Sequence, residues 1–74
     1  MEIEFEVCGE FIPLDRLLKA ANLVGSGGEA HAAVEGGLVE VDGRVEARKR
    51  AKLRAGQRVS FAGTTIRLAG LPGD

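Results

Sequence analysis

The chain has 74 residues and a formal net charge of −1, which is enough for one domain with a small core. Hydrophobic residues make up 45% of it, which excludes a disordered chain, and the single cysteine excludes a disulfide framework. Tyr and Trp are absent and there are three Phe, a composition that argues against an aromatic platform for stacking bases.

Residues 1–8 predict the first strand. Apolar residues alternate with Glu2, Glu4 and Glu6, the period-two pattern of a half-buried strand. We expect these glutamates to lie in a row on a solvated face rather than to act as paired catalytic carboxylates. The segment does not resemble a signal peptide, and no run approaches the roughly 18 apolar residues of a membrane span. We therefore expect a cytoplasmic protein that does not bind membranes.

Two helices are predicted next. Pro13 has a φ suited to a helix start, and leucines at positions 14, 17 and 18 form a core-facing stripe that ends near Asn22 and Gly25. Ser26 and Glu29 then form the capping-box pattern, in which each side chain binds the backbone amide of the other residue. Small residues at positions 30, 33 and 34 form the buried stripe of this second helix, which ends at Gly36-Gly37.

Short strands follow. Val39 and Val41 flank Glu40, and Asp42-Gly43 is a strong two-residue hairpin turn. Turns at residues 55–56 and 63 separate two further strands around positions 59–61 and 66–68, and residues 69–74 are expected to fray. The sequence predicts one α+β domain over residues 1–74, with a core region of about 12–68 and an N-terminal strand at 1–8. In it, two short helices pack on a small antiparallel sheet.

Positive charge is concentrated in residues 44–58, which we call the basic segment. It holds seven of the ten Lys and Arg residues. Residues 1–43 carry nine acids against Arg16 and Lys19, a net charge of −7, whereas residues 44–74 carry a net charge of +6. Charged runs are usually solvated surface, and edge lysines also discourage aggregation. However, closely packed like charges repel one another unless an anion relieves them, and the arginine fork matches phosphate oxygens. We therefore expect an anion-binding segment.

The residues from Ser26 to Gly43 resemble the S4 RNA-binding domain. That family has a Ser-capped helix followed by Glu-Ala, a helix end at Gly, and Val-x-Val-Asn/Asp-Gly. The later segment LRAGQRVSF is similar to its Val-x-x-Gly-Asp-x-Ile element, with Gln57 where Asp is usual. Residues 41–63 look very similar to the C-terminal half of a small stand-alone bacterial group, the YbcJ-like proteins. The resemblance covers about residues 12–68, and the matching positions of the first segment are Ser26, Glu29, Ala30, Gly37, Val39, Val41, Asp42 and Gly43.

The resemblance implies an αL-type RNA-binding domain that recognises structured RNA, ribosomal or transfer, in association with ribosomes or RNA metabolism. Many S4 domains carry Arg after the capping Ser and further bases along the second helix, where this chain has Gly27, His31 and Ala32. More of the affinity is therefore expected from the basic segment. The candidate RNA-binding residues are Arg44, Arg48, Lys49, Arg50, Lys52, Arg54, Ser26, Gly27, Gly28 and His31.

Alternatives remain open at several of these positions. Residues 26–28 could hold a phosphate on backbone amides, or could serve only as a helix cap. His31 is the only histidine, and it is more consistent with a helix surface than with a metal site. No nucleophile–base set, P-loop or metal motif is present, so we expect no enzyme activity and no cofactor. We expect a monomer, with a protein–protein adaptor as the alternative function. A sulfur-carrier-like protein is disfavoured because the chain ends LPGD rather than Gly-Gly.

Overall fold

The fold combines two consecutive helices with seven short strands, in a computed structural model that describes residues 1–70. Helices and strands share one core, to which most elements contribute buried apolar side chains. The elements are β1 (Glu2–Val7), β2 (Ile12–Pro13), α1 (Leu14–Ala20), α2 (Gly27–Glu35), β3 (Val39–Val41), β4 (Arg44–Val45), β5 (Lys52–Leu53), β6 (Arg58–Phe61) and β7 (Thr64–Gly70).

The strands form a five-stranded sheet in the order β1-β7-β6-β3-β4 and a separate two-stranded sheet of β2 and β5. The expected α+β fold is confirmed, but the sheet is mixed rather than antiparallel. β1 runs parallel to β7, with Ile3 opposite Ile66 and Phe5 opposite Leu68. No tight turn fixes the direction of β1 against β7, because the whole domain lies between them, and long connections permit parallel pairing.

Strand ends differ slightly from the expectation. The first strand covers Glu2–Val7, and its glutamates are exposed, as their alternation predicts. The expectation that residues 69 and 70 fray is wrong, because β7 continues through Gly70 and pairs there with Val7. The remaining residues of the expected frayed tail, 71–74, lie outside the described residues.

The two helices begin and pack as their sequence patterns predict. Pro13 precedes α1 with a φ of −64°, and Leu14, Leu17 and Leu18 are fully buried. In α2 the buried residues are those at positions 30, 33 and 34. Helix α1 ends at Ala20, just before Asn22 adopts a φ of 61°. The leucine face of α1 and the small-residue face of α2 are both buried in the core, which fixes α1 beside α2.

The cap of α2 departs from the expected reciprocal arrangement. Ser26 Oγ accepts a hydrogen bond from the Glu29 N–H at 3.2 Å, as predicted. The Glu29 carboxylate, however, accepts from the Gly25 N–H at 3.3 Å rather than from that of Ser26. Ser26 is extended, with φ −155° and ψ 165°, and the chain enters the helix with the amide of residue 25 within reach of the glutamate.

Candidate nucleic-acid interface

An open groove of about 800 Å³ lies where β2, α1, the start of α2 and the basic segment meet. We call it the α1 groove. Its cations come from two distant parts of the sequence, the first helix and the loop between β4 and β5. The lining residues are Phe11, Pro13, Asp15, Arg16, Lys19, Ala20, Gly27 and Arg50.

Backbone hydrogen bonds hold the basic segment against the start of α1. The N–H of Leu14 donates to the Ala51 carbonyl and the N–H of Asp15 to the Lys49 carbonyl, each at 2.9 Å. The first amides of a helix have no partner within the helix, so these carbonyls satisfy groups that would otherwise need water. The adjoining β5 pairs with β2, which places Lys52 opposite Pro13. The loop that carries Arg50 is therefore fixed by its backbone.

Of the residues that line the groove, the sequence predicted Gly27 and Arg50 as RNA-binding. It missed the cations Arg16 and Lys19 and the aromatic ring of Phe11. Arg16 and Lys19 are three residues apart on α1 and exposed, on the side of the helix away from its leucine stripe. They are the only two bases among residues 1–43, which carry nine acids. The net negative charge of that half therefore concealed them as candidates for binding an anion. Their spacing on a helix preceding an S4-like motif was the signal that could have found them.

Among the candidate RNA-binding residues at the start of α2, Ser26 serves the helix cap, whereas Gly27 and Gly28 have open space around them. Ser26 is engaged in the helix cap, and the Glu29 carboxylate lies beside it at the Gly25 amide. Gly27 lines the α1 groove, and a Cβ at that position would meet no atom within 4 Å. A Cβ at Gly28 would meet only the Ser26 hydroxyl, at 3.8 Å. Packing therefore does not require either glycine, and Gly27 leaves space at the groove.

His31 joins α2 to α1 rather than standing free on the helix surface. Its Nε2 lies 3.1 Å from Asp15 Oδ2, with side chains 35% and 20% exposed respectively. Burial raises the pKa of Asp15, but the His31 hydrogen bond, the Arg16 backbone N–H and the charges of His31 and Arg50 together bring that pKa below its ordinary value. Asp15 is consequently a carboxylate already surrounded by donors and cations at the groove.

Arg44 and Arg48 of the basic segment do not line the α1 groove. Arg48 is engaged by Glu46, with Nε 3.1 Å and Nη2 3.4 Å from the carboxylate oxygens. The Arg48 hydrogen bond is the main reason that the pKa of Glu46 is lowered. Arg44 lines a second depression together with Asp42 and Glu46. These two arginines therefore do not belong to the set of cations that lines the α1 groove.

Gln57, where the resemblance expects Asp, organises the turn that follows Arg54. Its Oε1 accepts from the Arg54 N–H at 2.7 Å, and its Nε2 donates to Asp42 Oδ2 at 3.3 Å. The other oxygen of Asp42 accepts from the Arg58 N–H at 3.0 Å. The amide thus performs the capping that a carboxylate could perform, and it also supplies a donor to Asp42.

The glutamates of β1 are exposed and alternate with its apolar residues. Glu4 pairs with Arg67 at 3.2 Å across the parallel β1–β7 register. Cys8 is an exposed free thiol at the end of β1. No three His, Cys, Asp or Glu side chains converge as a metal site requires within residues 1–70. In that same range, every helix is too short or too polar to cross a membrane.

Comparison with known proteins decides the family. The family model of the S4 domain matches residues 5–69. The chain is a member of the S4 domain family. This confirms the resemblance seen in residues 26–43, and the match extends it to β1 and β7.

Two curated relatives are 47% identical to the chain over 57 residues, which cover 77% of the chain and 81% of each relative. One is YbcJ of Escherichia coli, whose name presents it as a candidate RNA-binding protein, and the other is an uncharacterised YbcJ of Shigella flexneri. The solution structure of Escherichia coli YbcJ matches with a TM-score of 0.64 and 40% identity, covering 92% of this chain and 85% of that one. It is described as revealing an αL motif involved in RNA binding. The expected likeness to YbcJ-like proteins is confirmed.

Proposed function

We propose that this protein binds structured RNA, with RNA phosphates held at the α1 groove and along the adjoining basic segment. The observation that carries the proposal is the convergence of Arg16, Lys19 and Arg50 on one groove, in a member of the S4 family. Helix α1 and the basic segment are far apart in sequence, and hydrogen bonds of 2.9 Å from α1 to the loop bring them together.

The cations of the groove are available to a ligand. The ion pairs of residues 1–70 engage His31, Arg48 and Arg67, and none engages a cation of the groove. Asp15 is the acid in the groove, and its oxygens already accept from His31 and from the Arg16 N–H. Arginine and lysine that lack a protein partner favour an anion, and phosphate matches the arginine fork.

Helix α2 contributes few positive charges to the site, and its role is to let the RNA backbone come close to the start of the helix. Gly27 and Gly28 leave room for an RNA backbone to approach the amides at the start of α2, although Ser26 and Glu29 already bind two of the nearby amides. His31 borders the groove through its bond to Asp15. In this proposal Arg50, Lys49 and Lys52 make the main phosphate contacts of the basic segment, while Arg44, Arg48 and Arg54 extend the positive surface around them.

This mode of binding reads the shape and phosphates of the RNA with little sequence preference. If about four to six phosphates are neutralised, the logarithm of the affinity should fall against the logarithm of salt concentration with a slope of roughly −3 to −5. A mobility-shift titration of an RNA hairpin at several salt concentrations measures that slope. A flat dependence, or no binding at low salt, would contradict the proposal and favour the adaptor alternative.

A charge-reversal pair locates the site. Arg48→Glu with Arg50→Glu should leave a folded protein, because both side chains are exposed, and should lower hairpin affinity by well over about tenfold. The control replaces Glu2, Glu4 and Glu6 by Gln on β1, where none of them lines the groove, and it should bind at least as tightly as the parent. A folded double reversal that binds like the parent would falsify the placement of the site, with folding checked by circular dichroism.

A further inference from the structure

Phe11 is a partly exposed aromatic ring that does not belong to the core. Phe5 and Phe61 both pack against the buried cluster, whereas Phe11 lines the α1 groove instead. Phe11 is partly buried, as Phe5 and Phe61 are, but its ring borders the groove instead of the core. The ring therefore offers an apolar aromatic surface to a ligand in the groove.

The surroundings of the ring are cationic. Lys52 Nζ lies 5.1 Å from the ring centroid, the geometry of a cation–π contact over one face. Arg16, Lys19 and Arg50 line the same groove as the ring. An aromatic ring in a groove lined by three cations is complementary to a nucleotide, which presents a planar base joined to a phosphate.

A base can reach such a ring only when it is unpaired, because the bases of a regular RNA helix are stacked on one another. The groove has a volume of about 800 Å³ and is open to solvent, which provides space for one nucleotide. The composition, with three Phe and no Tyr or Trp, argues against a platform of several aromatic rings for stacking bases. One ring outside the core is nevertheless sufficient for one base.

We infer that the α1 groove binds a single unpaired nucleotide of the RNA, with its base stacked on the face of Phe11 opposite Lys52 and its phosphate held by Arg16, Lys19 and Arg50. This inference rests on the proposed RNA binding and names the feature of the RNA that is selected. The protein then prefers a hairpin with a bulged or flipped-out base to a perfectly paired hairpin of the same length.

Two RNA hairpins of equal length test this preference, one perfectly paired and one with a single-nucleotide bulge that carries 2-aminopurine. Stacking of one base on an aromatic side chain is typically worth a factor of roughly ten to a hundred in affinity. We expect the parent protein to prefer the bulged hairpin by about that factor. Binding should also change the 2-aminopurine fluorescence, which reports on stacking of the bulged base directly.

Three variants assign the effect to the ring. Phe11→Leu keeps an apolar side chain but removes the aromatic face, and it should bind both hairpins equally, at the parent's affinity for the paired one. Phe11→Tyr should retain the preference. Phe61→Leu is the same change at a ring packed on the core, and it should retain the preference as well.

The two proposals fail in different ways. A parent protein that binds both hairpins equally, or a Phe11→Leu variant that keeps the preference and the fluorescence change, overturns the stacking inference while RNA binding stands. A parent that binds neither hairpin, even at low salt, overturns the proposed function together with the inference.

Discussion

His31 Nε2 lies 3.1 Å from Asp15 Oδ2, so that a side chain of α2 holds a side chain in the first turn of α1. The other carboxylate oxygen of Asp15 accepts from the Arg16 N–H at 2.8 Å. The backbone N–H of Asp15 itself donates to the Lys49 carbonyl. One residue thus connects both helices and the basic segment at the edge of the α1 groove.

Acid should weaken the fold partly through Asp15. Its pKa is lower in the folded protein than its ordinary value of about 3.9, so its contribution to stability is present above that value and is lost as the pH falls through the folded pKa. Asp15→Asn should be less stable than the parent at neutral pH, and its free energy of unfolding should fall less as the pH is lowered below about 4. Urea denaturation at several pH values measures both effects, and equal pH dependence in parent and variant would contradict the assignment.

The helix cap of α2 should be worth about 1 kcal/mol. Ser26→Ala removes the oxygen that accepts from the Glu29 N–H and should lower stability by roughly that amount. Ser26→Thr keeps an acceptor and serves as the control. Thermal melting and hairpin affinity are measured on both variants. An affinity loss without a change in melting would show that Ser26 contacts the ligand and is not simply a cap.

Arg50 and Arg48 should differ in their contribution to RNA binding, although both are exposed. Arg50 lines the α1 groove, whereas Arg48 is held by Glu46. Arg50→Glu should lower hairpin affinity by more than about tenfold and make the salt slope shallower by about one. Arg48→Glu should cost severalfold less. The comparison requires mobility-shift titrations of the two single variants under identical salt, and a larger loss for Arg48→Glu would reverse the ranking of the two arginines.

Replacing Gln57 by Asp, the residue usual in the family, should lower the stability of the fold. Gln57→Asp places a second carboxylate beside Asp42, whose Oδ2 lies 3.3 Å from Gln57 Nε2. We expect the repulsion to cost about 0.5–1 kcal/mol, and Asp42→Asn in the same chain to recover most of it. A double-mutant cycle of denaturation midpoints measures the coupling. Additive effects of the two substitutions would show that the side chains act independently.

Local structure could be predicted from the sequence because its signals are local. The leucines of α1, the Ser26 cap and the Asp42-Gly43 turn each act over a few residues, and the structure confirms them. The parallel direction of β1 was missed, since it depends on a partner more than sixty positions away. Similarly, Arg16 and Arg50 belong to oppositely charged halves of the sequence, and they meet only because backbone amides of α1 bind the loop.

The parallel pair of β1 and β7 has a consequence for synthesis of the protein. β1 is translated before the other strands of the domain, but within the described residues its one partner in the sheet is β7. Until β7 has left the ribosome, β1 is an unpaired segment whose Ile3, Phe5 and Val7 lack the core that covers them. Contacts between such distant segments also slow folding, because the chain between them must close first. The five-stranded sheet is therefore completed only after β7 has been synthesised and has paired with β1.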